Sequence, residues 1–173
     1  MDAPRFPEGR VGLISDTHGL LRPEALSFLQ GCQLIVHAGD IGGRDILDAL
    51  SAIAPVIAVR GNNDTELGMQ SVKESECARI GDVLLYVVHD RAGIDRYPQG
   101  PEGPHAQGIG VVVTGHSHKP LLEHQHGVLF VNPGSAGRRR FTLPIAIGEL
   151  RIEAGRIAAR IVNVMDGSEI AAG

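Results

Sequence analysis

Apolar residues in this chain come in short runs, and most runs stop at a small polar motif. Val11 to Ser15 leads into Asp16-Thr17-His18-Gly19, Gln33 to His37 into Ala38-Gly39-Asp40, and Pro55 to Val59 into Gly61-Asn62-Asn63-Asp64. Runs of this length, bounded by turn residues, read as buried strands. Between them the spacing changes. Leu20 to Gln30, with Pro23 near its first turn and Gly31 just past its end, predicts a helix. Arg44 to Ala52, apolar at Ile46, Leu47 and Leu50, predicts a second. Strand, motif and helix in alternation imply parallel pairing with right-handed crossovers. Ligands of such sheets gather beyond the carboxyl ends of the strands, so Asp16, Asp40 and Asn62 are expected to meet despite their separation in sequence.

The second half is richer in strands. Cys77 to Ile80 and Val83 to Val88 flank Gly81-Asp82, a hairpin signal. Gly110 to Thr114 predicts a buried strand ending in Gly115-His116-Ser117-His118. Leu121 to His124 and Val128 to Asn132 predict a hairpin about His126-Gly127, and Ile145 to Ile152 with Arg156 to Val164 another about Ala154-Gly155. Arg91 to Gly110 is rich in Gly and Pro and reads as a long loop with room for a short helix. Asp166 to Gly173 is expected to fray. No linker, repeat or low-complexity tract interrupts the pattern, so residues 1–173 read as one α/β domain.

Composition narrows this picture. Hydrophobic residues make up 43% of the chain but aromatics only 3%, so the core must be built from Val, Ile, Leu and Ala. The 23 glycines suit many tight strand ends. A formal net charge of −4 gives no sign of a nucleic-acid partner, and the one basic run, Arg138-Arg139-Arg140, reads as a solvated loop or strand edge. Cys32 and Cys77 have no metal-binding spacing and read as reduced thiols. Met1 to Arg10 has no apolar signal core, and no apolar stretch approaches the ~18 residues of a membrane span. The reading is a cytoplasmic protein without a membrane partner.

The motifs hold carboxylates, amides and imidazoles. Asp16 and His18 stand two apart, a spacing that in extended backbone sends both side chains to one side. Asp40 offers a carboxylate able to bridge two cations, and Asn62 a neutral amide oxygen. His89 ends the Val83 to Val88 run. His116 and His118 share the i, i+2 spacing and can serve different ions in one cavity. Each motif alone is common: Gly-Asp is usually a helix cap and Gly-Asn a turn. All five in this order, each after an apolar run, point to one hydrolytic site for more than one metal ion. His37 reads first as an ordinary surface or core residue, with support of the ligands from behind as the alternative because it leads into Asp40. His105, His124 and His126 read as ordinary surface or core residues.

The set Asp16-x-His18, Gly39-Asp40, Gly61-Asn62-x-Asp64, His89 and Gly115-His116-x-His118 resembles the calcineurin-like metallophosphoesterase superfamily. The chain's small size and Asn132-Pro133-Gly134-Ser135 resemble its compact bacterial and archaeal branch. That branch holds small phosphodiesterases and is related to a non-catalytic eukaryotic retromer subunit. The resemblance runs from Val11 to about Arg160. It implies a four-layer αββα fold, two mixed β-sheets packed as a sandwich flanked by helices. It implies two divalent ions, manganese first, with iron, zinc, nickel or cobalt as alternatives. One ion takes Asp16, His18, Asp40 and His118; the other takes Asp40, Asn62, His89 and His116, with Asp40 and a water or hydroxide between them. The implied reaction is hydrolysis of a small phosphoester, diesters ahead of monoesters. Asp40 and Asn62 then take part in catalysis, and Asn62 and Asn63 meet substrate.

Two departures stand out. Many members of the superfamily carry His at position 63, where Asn63 cannot protonate a leaving group. Asp90 follows His89 where many relatives carry Gly; it either orients His89 or caps a turn. Two other readings rank below the enzyme: a scaffold, against which every ligand position being filled argues, and a nuclease. Relatives often form dimers or larger assemblies, so a homo-oligomer is compatible with the resemblance.

Overall fold

The computed structural model describes residues 3–96 and 107–173. His105 and half of the expected loop from Arg91 to Gly110 lie outside these residues.

Among the described residues, eleven strands form two mixed sheets. The five-stranded sheet has the order β11-β10-β2-β3-β4, with β2 at Gly9–Ile14, β3 at Leu34–His37, β4 at Val56–Ala58, β10 at Ala146–Glu153 and β11 at Arg156–Asn163. Strands β2, β3 and β4 are parallel, as the alternation predicts, while β10 joins the far side of β2 antiparallel. The six-stranded sheet has the order β1-β5-β6-β7-β9-β8. Its strands are β1 at Arg5–Phe6, β5 at Ser75–Ile80, β6 at Val83–Val88, β7 at Ile109–Val113, β8 at Leu121–Gln125 and β9 at Val128–Asn132. The three expected hairpins, β5–β6, β8–β9 and β10–β11, all form.

Side-chain alternation explains the layers. Val11 and Leu13 of β2, Leu34 and Val36 of β3, and Leu150 and Ile152 of β10 point inward onto Leu85, Val87, Val111, Val113 and Val131 of the other sheet. This inter-sheet core is aliphatic throughout, as the composition demands. Ile14, Ile35 and Ile147 point outward and are covered by Ala25 and Leu29 of helix α1 (Pro23–Leu29) and Ile46, Leu47 and Leu50 of α2 (Arg44–Ser51). Cys32 and Cys77 are both buried.

Helix α1 is shorter than the expected Leu20 to Gln30. Its first residue is Pro23, and the residue before a proline is pushed out of the helical region; Arg22 is extended at ψ 142°. The tail also departs from expectation. Instead of fraying, it bonds both sheets: Ile170 N–H donates to Ile161 O of β11 at 2.8 Å, and Leu122 N–H of β8 donates to Ala172 O at 2.6 Å. It thereby occupies the open edge of each sheet, β11 and β8. No helix among the described residues is long and apolar enough to cross a membrane.

Candidate metal centre

Five loops meet at one edge of the sandwich, each leaving the carboxyl end of a strand. Asp16 and His18 follow β2, Asp40 follows β3, Asn62 follows β4, His89 follows β6, and His116 and His118 follow β7. Backbone bonds lace the loops together: Asp16 N–H donates to Gly39 O, His18 N–H to Asp40 O, and Gly115 N–H to His89 O, each at 2.9 Å. Both sheets therefore contribute to a single cluster, as the motif order suggested.

The local backbone is not the extended one expected from the i, i+2 spacing. Asp16, His18, Asp40, His116 and His118 all have positive φ, between 46° and 64°. Such left-handed residues are uncommon outside glycine and concentrate where surrounding structure enforces them for function. The turns bring the side chains inward more sharply than an extended strand end could. Neighbouring glycines make room. A Cβ at Gly61 would lie 2.1 Å from Asp40 Oδ1, and one at Gly115 2.1 Å from Ser15 Oγ.

The ligand atoms form two groups. His118 Nε2 lies 3.1 Å and His18 Nε2 4.0 Å from Asp16 Oδ1, and His18 Nε2 lies 3.7 Å from Asp40 Oδ2. On the other side, His89 Nε2 is 3.5 Å from Asp40 Oδ2. Asn62 Oδ1 lies 3.2 Å from His89 Nε2 and 3.1 Å from His116 Nδ1. Asp40 stands between the groups. Asp16 also lies within reach of the His89 side, closer than the resemblance alone implies.

Hydrogen bonds leave selected atoms bare. Ser15 Oγ and His116 N–H both donate to Asp16 Oδ2, at 2.6 and 3.2 Å, so Oδ1 faces the cluster. Asp16 Oδ1, His18 Nε2 and His118 Nδ1 are buried with no hydrogen-bond partner among the described residues. Unsatisfied buried groups are rare and costly. His89 Nδ1 is 2.7 Å from Ala38 O, which can only accept, so Nδ1 carries the proton. The Nε2 lone pair of the neutral ring then points at two oxygens, an arrangement that needs a cation or a second proton between them. Burial, the largest influence, lowers the proton affinity of His89, but Asp40 and Ala38 outweigh it and raise the balance. Burial likewise raises the Asp40 carboxyl, yet bonds from His89 and Asn63 hold it well below the usual carboxylate range. Burial pushes Asp16 up and His118 down. Oxygen and imidazole donors with bare, inward-facing atoms fit divalent metal ions.

Several supporting residues were not legible from sequence. Asp64 accepts from Ile41 N–H and Gly42 N–H, both at 2.9 Å, and from Gly61 N–H at 2.8 Å, pinning the Asp40 loop to the Asn62 loop. Asn63, expected to meet substrate, donates from its backbone N–H and its amide to the Asp40 carboxylate, at 2.9 and 2.7 Å. Asn132 Nδ2 donates to Gly115 O at 2.7 Å, and Ser135 Oγ to Asp16 O at 3.0 Å, so the Asn132–Ser135 segment braces two ligand loops. Asp90 accepts from Ala92 N–H at 3.0 Å and caps the turn after β6, while His89 takes its orientation from Ala38.

His37 does support the ligands from behind. Gly39 N–H donates to Nδ1 at 3.2 Å, and Nε2 meets Thr17 Oγ1 at 2.9 Å, whose hydroxyl donates to Ile41 O. Protonating Nδ1 would break the Gly39 bond. Burial lowers the His37 pKa to about 3 from an ordinary 6.5. The folded state then binds fewer protons than the unfolded one between these values. Stability is full above pH 6.5 and falls as the pH drops toward 3. Thermal melts of chelator-treated protein between pH 7 and 4 should show this fall, and His37→Gln should flatten it by up to about 1.4 kcal/mol per pH unit. Equal slopes for parent and variant would contradict the assignment.

A cleft of about 290 Å³ opens beside the second group, lined by Arg60, Asn62, Val88, His89, Gly93 and His116.

Comparison with known proteins agrees with this geometry. The family model of the calcineurin-like phosphoesterase superfamily domain matches residues 10–155. A probable metallophosphoesterase of Methanothermobacter thermautotrophicus is 32% identical over 167 residues, covering 88% of this chain and 91% of its own. Among solved structures, Vps29 of Entamoeba histolytica in complex with zinc is similar with a TM-score of 0.72 and 25% identity, over 93% of this chain and 96% of that one. An archaeal phosphodiesterase shares the fold with a TM-score of 0.70 and 22% identity, over 88% of this chain and 99% of its own. The motifs, the two-sheet sandwich and these matches lead to one conclusion: the chain belongs to the calcineurin-like phosphoesterase superfamily, in its small archaeal and bacterial branch.

Proposed function

We propose that this protein hydrolyses phosphoesters with two divalent ions, and that diesters are its preferred substrates. The observation that carries the reading is the buried, unpartnered pair Asp16 Oδ1 and His18 Nε2, with His118 Nε2 3.1 Å from the same Asp16 oxygen, in a member of the calcineurin-like phosphoesterase family. Asp16, His18, Asp40 and His118 would hold one ion, and Asp40, Asn62, His89 and His116 the other. Manganese is the first candidate; iron, zinc, cobalt and nickel suit the same donors. When bound, such a pair neutralises phosphoryl oxygens and lowers the pKa of a water at neutral pH.

The chain's own residues do the positioning. Asp40 is kept ionised and aimed by Asn63. Asn62 is exposed, with its Oδ1 between His89 and His116, and its amide N–H groups would donate to a phosphoryl oxygen. Asn63 cannot supply a proton to the leaving group, so that proton comes from solvent, and esters with acidic leaving alcohols should react fastest. The cleft beside His116 receives one ester arm. The archaeal phosphodiesterase of the same fold supports the diester preference.

The test is hydrolysis of bis(p-nitrophenyl) phosphate and p-nitrophenyl phosphate by purified protein. Activity should depend on added manganese, stop with chelator and be faster on the diester. Manganese at about 100 times its Kd should also raise unfolding stability by about 2.7 kcal/mol. A metal-loaded protein inactive on both esters would overturn the reading.

A further inference from the structure

The basic run Arg138-Arg139-Arg140 has no role in the site as described so far. Its position gives it one. Gly137, directly before it, sits on the metal-side turn: a Cβ there would lie 2.5 Å from both Asp16 O and Thr17 O. Ala136 N–H donates to Ser15 O at 3.0 Å, and Arg22 reaches Gly137 O at 3.2 Å. The run therefore starts on the backbone that carries Asp16 and His18. Lys119, exposed, directly follows His118.

Some cations of the fold are neutralised and others, Arg22 beside Gly137 among them, are not. Arg10, Arg60, Lys73, Arg91, Arg151 and Arg160 each have a carboxylate partner. Arg138, Arg139, Arg140 and Lys119 have none among the described residues. On a chain of net charge −4, a group of exposed, unpaired cations at the rim of a phosphoester site is an anion-binding surface. Guanidinium groups match phosphate oxygens in particular. Next to the run stands Phe141, 92% exposed and left-handed at φ 54°. A bulky residue in that conformation is rare, and here it holds an aromatic ring out in water beside three arginines. Cations with an exposed ring suit a phosphate next to a nucleobase.

We propose that Arg138–Phe141 binds a nucleotide arm of the substrate, the arginines taking a phosphate beyond the one hydrolysed and Phe141 stacking on the base. The preferred diesters are then nucleotide esters bearing at least one further phosphate. This rests on the phosphoesterase reading above and names its substrate class.

Three chromogenic diesters with one leaving group separate the parts: bis(p-nitrophenyl) phosphate, thymidine 5′-(p-nitrophenyl phosphate), and the same nucleotide with a 3′-phosphate. Changing all three arginines to alanine should lower kcat/KM about tenfold on the third substrate alone and remove its salt dependence. Phe141→Ala should weaken both nucleotide substrates and spare the first. The triple Arg→Lys variant should recover much of the loss. Equal losses on all three diesters, or no change on any, would overturn the proposal while the hydrolase reading stands. Binding of thymidine 3′,5′-bisphosphate, measured by calorimetry without turnover, makes the reverse separation. Arginine-dependent binding by a protein inactive on every ester would uphold the nucleotide surface and overturn the hydrolase, and binding unaffected by the triple alanine change would overturn the surface.

Discussion

Asp40→Asn is expected to lower diester hydrolysis by about a thousandfold while leaving the chain folded. Asp40 stands between the two groups, with His18 Nε2 at 3.7 Å and His89 Nε2 at 3.5 Å from its Oδ2. Asparagine keeps an acceptor for the Asn63 N–H and similar volume, so the loop has little reason to move. It removes the negative charge that two cations need between them. Thermal melts with and without manganese complete the test: the variant should melt near the metal-free parent and gain little from metal. Retained activity with normal metal stabilisation would show that Asp40 is not the shared ligand.

Asp64→Ala is expected to be the most destabilising change at the site, although Asp64 faces no metal. Its carboxylate accepts from three backbone N–H groups in two loops, and alanine would leave them unpaired, that of Ile41 buried. Removing such bonds costs about 1–3 kcal/mol for each stranded group, partly relieved by water, so a loss of roughly 3 kcal/mol is expected. For a chain of this size that lowers Tm by roughly 6–12 °C. Asp64→Asn, which keeps one acceptor oxygen, should fall between parent and alanine. Melting by circular dichroism checks the order. The loops that drift apart carry Asp40 and Asn62, so manganese affinity should fall with stability. A variant that melts like the parent would mean that the loops hold by other contacts.

The contrast between Asp40 and Asp64 shows what could be read from sequence. Ligand positions were legible because each closes an apolar run, and the parallel order of β2, β3 and β4 brings such run-ends to one edge. Asp64 stands in the same motif as Asn62, yet nothing in the string says that its oxygens turn back onto residues 41, 42 and 61. Asn63 is similar: the missing histidine could be read, but the turn of its amide onto Asp40 could not. Local spacing also misled. Asp16 and His18 reach one cavity through two left-handed residues, a conformation set by bonds to Gly39 and Asp40 across the sheet. The two-residue β1 was too short to leave a periodic signal, and β10 beside β2 is a pairing that side-chain period cannot choose. The tail looked free because its partners, Ile161 and Leu122, lie on edges that exist only once both sheets are built.

Crystals of the manganese-loaded protein decide whether two ions share Asp40. Anomalous diffraction should show two manganese peaks per chain about 3.5–4 Å apart. One should lie against Asp16, His18 and His118, the other against Asn62, His89 and His116, with Asp40 touching both. A single peak, or two peaks that do not share Asp40, would contradict the two-ion centre.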